Sequence, residues 1–583
     1  VQDQLVSFIR AADEELDKHR YDHSRKNAST SLVDYHSPTS LQTLLPLDLP
    51  TTGFGPAGFL SALRPILAYS VNTFSPGFLD KLYSGTNAPG IAADLILSVL
   101  NTNVHVYQVS PVLTLVEKHT TKALASLFGL AGPRAGGISV QGGSASNMAS
   151  IVIARNTLYP ASKIYGNAHD GRQLVLFTSA HGHYSIEKAA QACGFGSAAV
   201  VPVPVDPVTG AMLPTALESL IVTAKNRGMT PFYVNATAGT TALGSFDPFC
   251  EIAAIARRYG MWFHIDASWG GPFIFSSTLK HKLRGAELAD SIATNPHKMM
   301  GVPITCSFLL AKDLRQFHRA NTLPAGYLFH SNEDSDAPNG AGGPMDHQAE
   351  AAESGDEEDG AWNEPDDLAD LTLQCGRRGD SLKLFLSWQY YGSAGYAAQV
   401  ENAYTTATYL ADLVEAHPDM ILVSEHPPPC LQVCFYFAPG GRMVFANGEN
   451  QAMVPISSVR GGSEAAHAKA TGRWNSMVTE RITKALVVRG FMIDFAPALE
   501  GRGAEGKFFR VVVNGQTARE TVHRLVEEIA EVGMQVRDRL RQECEDGWGG
   551  DVRNGIGGTG GLVERKKKAA EKGHGTVVRQ CHS

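Results

Sequence analysis

Residues 295–310 read NPHKMMGVPITCSFLL, which sets Lys298 directly behind Pro-His and ahead of a long apolar run. Stripping water from an ammonium is costly unless it is paired or neutralised, so a lone lysine in such a place ordinarily snorkels its head back to solvent. Three other stretches supply a chemical alternative. In SVQGGSASNMAS (139–150), two glycines and small hydroxyl residues precede a helix. That pattern offers close backbone approach, free N–H groups and the positive end of a helix dipole to a phosphate. Asp266 follows the apolar MWFHI and precedes ASWGG, which predicts a carboxylate at a buried strand end that needs a cationic partner. A protonated heteroaromatic nitrogen would serve, and a structural loop cap is the plainer reading. His183, in AHGHYS, is suited to stacking on such a ring or to ordinary packing. A phosphate cradle, a stacking histidine, an acid for a ring nitrogen and a lysine for an aldehyde together fit pyridoxal 5'-phosphate (PLP).

The surrounding elements must hold these groups together. Between residues 140 and 310, strand-like QLVLFTS, AAVVPVPV, PFYVNATA and MWFHIDAS alternate with helix-like MASIVIARNTLYP, IEKAAQACG, PTALESLIVTAKNRG and FDPFCEIAAIARRYG. In the third of those helices, Leu217, Leu220, Ile221 and Ala224 form one apolar face. This alternation predicts an α/β domain with a mainly parallel sheet, whose ligands sit at the carboxyl ends of the strands. The polar residues collect there, in FTSAHGHYS, NATAGTT, HIDASWGG and TNPHK. From about 371 to 545, helices alternate with LQVCFYFAP and KFFRVVVNG and end in ARETVHRLVEEIAEVGMQVRDRL, which predicts a smaller α+β domain.

Composition narrows the class. The 583 residues are 43% hydrophobic and 19% charged, ordinary for a globular chain, and no apolar stretch approaches the length that spans a bilayer. The N-terminal stretch is amphipathic and has no signal-peptide core. The net charge of −8 is carried by residues 331–370, whose fourteen carboxylates stand without Lys or Arg; without them the charge is +6. This stretch reads as a disordered acidic insertion, and the Gly-rich, then basic, tail from 549 as disordered too. No nucleic-acid module appears. The eight cysteines, at 193, 250, 306, 375, 430, 434, 544 and 581, lack metal-ligand spacing, and most lie in apolar runs. They read as reduced core thiols of a cytoplasmic protein, with no metal.

The residues also carry a family resemblance. FLDKLYSG (78–85), QGGSASNM (141–148), ATAGTTALGSFDP (236–248), HIDASWGGP (264–272), NPHKMMGV (295–302), AGYLFH (325–330), QCGRRGDSLKLF (374–385) and FFRVVV (508–513) stand in the order found in group II PLP-dependent amino-acid decarboxylases. The chain resembles the glutamate, cysteine-sulfinate and aspartate decarboxylases of that group across roughly residues 55–535. The resemblance implies the aspartate-aminotransferase fold (fold type I), PLP as cofactor and a homodimer with sites at the subunit interface. By motif position it implies that Ser144 and Ala145 hold the phosphate, helped by Asn295 and His297. His183 would stack on the ring, Thr241 lie beside its substituents, Asp266 pair with the ring nitrogen and Ser268 touch the opposite face. Lys298 would link to the cofactor aldehyde. Tyr327 matches a loop tyrosine that protonates Cα, where relatives that make aldehydes carry Phe, so plain decarboxylation is expected.

Arg510 matches an arginine that holds a substrate carboxylate in glutamate decarboxylases, although an internal salt bridge is the competing reading. Lys81, Leu82 and Tyr83 occupy the segment that lines the same pocket. A second cation at Lys81 and a bulky Tyr83 favour a short diacid, aspartate or cysteine sulfinate, ahead of glutamate, unless Lys81 points to solvent. The expected divisions are 1–55, a helical segment packing on the dimer partner; 56–330, a PLP-binding domain; 331–370, the acidic insertion; 371–548, a small domain; and 549–583, the tail. A non-catalytic scaffold that keeps the fold is the alternative from another class.

Overall fold

The computed structural model describes residues 9–12, 14–16, 32–323, 364–441, 464–499 and 505–548. Tyr327, residues 331–363 of the acidic stretch and the tail from 549 lie outside the described residues.

Strand β1 (Phe78–Leu79) departs to a second sheet. The next seven build the larger one: β2 (Gly136–Val140), β3 (Leu174–Ser179), β4 (Val200–Val203), β5 (Thr230–Thr237), β6 (Trp262–Ala267), β7 (Ser291–Thr294) and β8 (Ser307–Ala311). Their order is β2-β8-β7-β6-β5-β3-β4, parallel except for β8, which runs antiparallel to both of its neighbours. Strands β2, β3, β6, β7 and β8 are buried throughout, as a sheet covered on both faces requires, and they read as near-continuous apolar runs for that reason. The covering helices present the expected faces. In Pro214–Asn226, Leu217, Ile221 and Ala224 are buried, with Leu220 packed at the margin.

Strands β9 (Met420–Leu422), β10 (Gln432–Phe437), β11 (Met492–Ala496) and β12 (Phe508–Val512) form the second sheet, ordered β1-β11-β12-β10-β9. Its first strand is drawn from the FLDKLYSG segment, more than 400 residues before its neighbour, through the parallel pairs Phe78↔Met492 and Leu79↔Ile493. The small sheet therefore takes a strand from inside the stretch expected to form only the PLP-binding domain. That crossing brings Lys81 beside β11 and β12. The helix Ser381–Ala416, broken at Gly392 (φ 66°), packs against the helices Ala88–Leu100 and Pro111–Leu127 and against β9 and β10, tying the two sheets together. Of the cysteines whose side-chain burial is described, Cys306, Cys430 and Cys434 are buried, Cys193 and Cys250 are half-buried, and Cys375 is exposed, so the core-thiol reading holds for three of them.

Candidate active site

Four parallel strands end at one place. The loops after β3, β5, β6 and β7 deliver His183, Gly239 and Thr241, Ser268 and Trp269, and Asn295 to Lys298. With Gly143 and Ser144, Tyr184, Thr237 and Asp266, they line a cavity of about 240 Å³. Gly143 and Ser144 open the helix Gly143–Leu158, which follows β2 after a turn at Gly142. Gly142 has φ 90°, a conformation that favours glycine, and it lets the chain reverse within two residues of the strand. The sixteen-residue helix thus points its N-terminus at the cavity.

The acid and the lysine face each other electrostatically. Burial alone would raise the Asp266 pKa, but the Lys298 charge and hydrogen bonds from Asn147 and Ser268 outweigh it and hold the carboxyl below its usual range. Burial pushes Lys298 below the ordinary lysine range, and Asp266 opposes that shift. His183 is lowered, by burial first. Burial also takes His297 to about 4; its Nδ1 lies 2.8 Å from the Cys306 carbonyl oxygen and 3.1 Å from Ser307 Oγ.

Asp266 is held by a chain of hydrogen bonds that has one consistent direction. Trp262 Nε1 donates to Ser291 Oγ (2.9 Å), which leaves the Ser291 hydroxyl to donate to His264 Nδ1 (2.8 Å). His264 Nε2 then donates to Asn147 Oδ1 (3.1 Å), and Asn147 Nδ2 donates to Asp266 Oδ2 (2.9 Å) and Ser185 Oγ (2.8 Å). The Ser268 N–H donates to Asp266 Oδ1 at 3.1 Å. This direction requires a neutral His264, and burial depresses that imidazole to about 4. A buried, fully partnered carboxylate of this kind keeps one orientation.

The residues fit PLP. Ser268 Oγ, Thr237 Oγ1 and Asn295 Oδ1 are buried and have no hydrogen-bond partner among the described residues, a costly condition that a polar ligand relieves. A Cβ at Gly143 would stand 2.7 Å from Ser268 Oγ and 2.8 Å from Asn295 Nδ2, and one at Gly239 would stand 2.9 Å from the Gly270 nitrogen. Bare backbone is thus required where the cradle is tightest.

The expected residues divide into two groups. Ser144, His183, Thr241, Asp266, Ser268, Asn295, His297 and Lys298 line the cavity. Ala145 does not; it sits in the first turn of the same helix, half-buried, its N–H bonded to the Gly142 carbonyl. Lys81, Leu82, Tyr83 and Arg510 also lie outside the lining. Arg510 meets the site at one remove, donating from Nη1 to the carbonyl of Thr241 (2.8 Å), a lining residue. Its Nη2 donates to Asp494 Oδ2 (2.6 Å) and to the Asp80 carbonyl (3.1 Å). Lys81 Nζ bonds the same Asp494 Oδ2 (2.9 Å) and lies 3.1 Å from Asp80 Oδ1. The internal salt bridge is therefore present, and the second cation is not free. Tyr83 is 39% exposed and tilts against Phe78, so in this chain taken alone it walls off nothing near the cavity.

Sequence reasoning missed Asn147, His264, Asp80 and Asp494. His264 carried a signal, because it stands two residues before Asp266 on one strand and so shares its face. Asn147 begins the second turn of the phosphate-cradle helix, and it too was within reach.

Fold and cavity define a class: PLP enzymes of the aspartate-aminotransferase fold type. Comparison narrows it. The pyridoxal-dependent decarboxylase conserved domain matches residues 38–340 and 362–438, and the chain belongs to that family. It is 46% identical over 539 residues to an L-aspartate decarboxylase (dtxS4) of Metarhizium robertsii, covering 91% of this chain and 95% of that one. It is 41% identical to a glutamate decarboxylase-like protein (FG08083) of Gibberella zeae, covering 83% and 89%. Among solved structures, mouse CSAD superposes with a TM-score of 0.73 at 31% identity over 90% of this chain and 99% of its own. Oryza sativa TDC with PLP and tryptamine gives the same TM-score at 22% identity and shows the shared fold. The chain is a PLP-dependent amino-acid decarboxylase.

Proposed function

We propose that this enzyme removes the α-carboxylate of a short acidic L-amino acid, converting aspartate to β-alanine or cysteine sulfinate to hypotaurine, with glutamate to GABA the second reading. The observation that carries the substrate class is the pair of cations, Arg510 on β12 and Lys81 just after β1, gathered around Asp494 of the small sheet, with Arg510 tied to the cavity through the Thr241 carbonyl. The 46% identical relative, named for aspartate, supports the short diacid over glutamate.

When bound, PLP supplies an aldehyde for the substrate amine and a ring that receives the electron pair left when CO₂ departs. The residues around it divide the remaining work. The N-terminus at Gly143–Ser144, with Ala145 in its first turn, and Asn295 and His297 hold the phosphate. His183, Ser268 and Thr241, which line the same cavity, would hold the ring. Asp266, fixed through Asn147 and His264, keeps a proton on the ring nitrogen. Lys298 would link to the aldehyde carbon and yield it to the substrate amine, and burial lowers its pKa from the ordinary lysine range. Tyr327 delivers the proton to Cα. Arg510 takes the side-chain carboxylate.

We further propose that the enzyme works as a cytoplasmic homodimer, with the first 55 residues packing on the partner. The helix Gly55–Tyr69 buries none of its residues despite its apolar sequence. Phe59, Ile66, Ile96, Val99, Leu100 and Val112 are exposed on it and on the two helices that follow. Among the described residues no helix is long and apolar enough to cross a membrane. Incubating holoenzyme with each acid and identifying the amine tests the substrate; a product from none of the three would overturn the acidic-substrate reading.

A further inference from the structure

Strands β11 and β12 and the residues just after β1 hold two cations and two carboxylates, and the pairing is uneven. Asp494, on β11, stands directly across from Arg510 on β12 and accepts from both Arg510 and Lys81 through one oxygen. Its other oxygen accepts from the Phe495 N–H (2.8 Å). Burial would raise its pKa, but the Lys81 bond and the Arg510 charge hold it below the usual carboxylate range, so it is an anion at neutral pH. Arg510 is 6% exposed, and its Nε is buried with no hydrogen-bond partner among the described residues. The guanidinium is anchored by the carbonyls of Thr241 and Asp80 independently of Asp494. The Lys81 side chain is 45% accessible and can lean on Asp80 as well.

We infer that Asp494 is a specificity-determining residue: its carboxylate occupies Arg510 in the resting enzyme, and a substrate side-chain carboxylate must displace it, Asp494 then staying with Lys81. The inference rests on the acidic-substrate reading above. Arg510 keeps its place during the exchange because two backbone carbonyls hold it, and its spare Nε gives the incoming carboxylate a second donor. Lys81 thus acts through Asp494, as the partner that keeps the displaced carboxylate from returning. A neutral side chain has nothing to set against the Asp494–Arg510 bond, and it is discriminated against by the same device.

Asp494→Asn keeps the shape and the bond from Phe495 but removes the charge. Expected for the PLP-loaded enzyme is a fall in KM for the acidic substrate of about tenfold, the size of one charge-assisted hydrogen bond, with the change on KM rather than kcat. Calorimetry with succinate, a dicarboxylate that cannot react, is expected to show the same tightening. Lys81→Gln is expected to raise KM about fivefold alone and less than twofold in the Asp494→Asn background, because its partner is then gone. Equal effects of Lys81→Gln in both backgrounds, or unchanged or weaker succinate binding by Asp494→Asn, would overturn the inference. If the unsubstituted enzyme decarboxylates none of the three acids, the reading of the substrate fails instead, and succinate binding still reports on Asp494.

Discussion

The two ends of the site satisfy their polar groups in opposite ways. At the large sheet, strand ends leave Ser268, Thr237 and Asn295 with buried polar atoms that nothing in the described protein answers. At the small sheet, Arg510 and Lys81 are already answered by Asp494 and Asp80. The first end is built around a group that stays, so its geometry is incomplete without a ligand. The second, on the proposed reading, handles a molecule that comes and goes, and its cations rest paired with carboxylates, leaving only Arg510 Nε without a partner among the described residues. A tight permanent cofactor and an exchangeable substrate impose these different demands on buried charge.

The sharpest way to break this contrast is at the cofactor end. Lys298→Ala is expected to lower decarboxylation by at least about a thousandfold and to abolish the visible absorbance of linked PLP, read by steady-state CO₂ release and by spectrum. Retained turnover would remove Lys298 from the chemistry. Asp266→Asn is nearly isosteric and keeps the bond from Ser268, but it loses the charge that holds a ring proton. A kcat about a hundredfold or more lower is expected, by analogy with the loss of one well-placed electrostatic group. A variant as active as the original would show that the buried acid is only a loop cap.

At the small-sheet end, Arg510→Gln is expected to raise KM for the acidic substrate by roughly 10- to 100-fold, as loss of a charge-assisted pair does, with a smaller change in kcat. If kcat fell instead and KM stood, the arginine would belong to the cofactor end and the contrast would dissolve. The smallest effect concerns stability. His264 and His297 are held near 4 by burial against an ordinary value of 6.5, so between those pH values the unfolded chain binds protons that the folded one does not. Cofactor-free protein should therefore lose stability as pH falls from 6.5 towards 4, by up to about 3 kcal/mol per histidine. Asp247, raised by burial to about 6, works in the other direction, since its contribution grows as pH falls through that value. Urea midpoints at pH 7 and pH 5 should separate less in His264→Asn than in the unsubstituted protein; equal separation would mean that His264 is solvated or already charged.

Much of the cofactor end was legible in the sequence. Alternating strand and helix signals fix a parallel sheet, and in such a sheet the polar strand ends must meet, which brought Lys298, Asp266, His183 and Ser144 together. The Asn147–His264 support was half-legible: strand parity places His264 beside Asp266, but only the docked helix shows that Asn147 spans them. The small-sheet end was not legible. An arginine in KFFRVVV announces that it needs an anion, and nothing in the chain says which one. Asp494 is chosen by the antiparallel register of β11 on β12, and Lys81 arrives because β1 pairs with β11 across more than 400 residues. Such registers are set by packing between distant segments, which no local pattern encodes.

The proposed function couples PLP chemistry to recognition of a short acidic side chain. Its most direct test is to incubate PLP-loaded enzyme separately with aspartate, cysteine sulfinate and glutamate, quantify CO₂ and identify the amine. Stoichiometric CO₂ with β-alanine or hypotaurine is expected, faster than GABA from glutamate; aldehyde and ammonia in place of amine, or turnover of neutral amino acids alone, would overturn the proposed function.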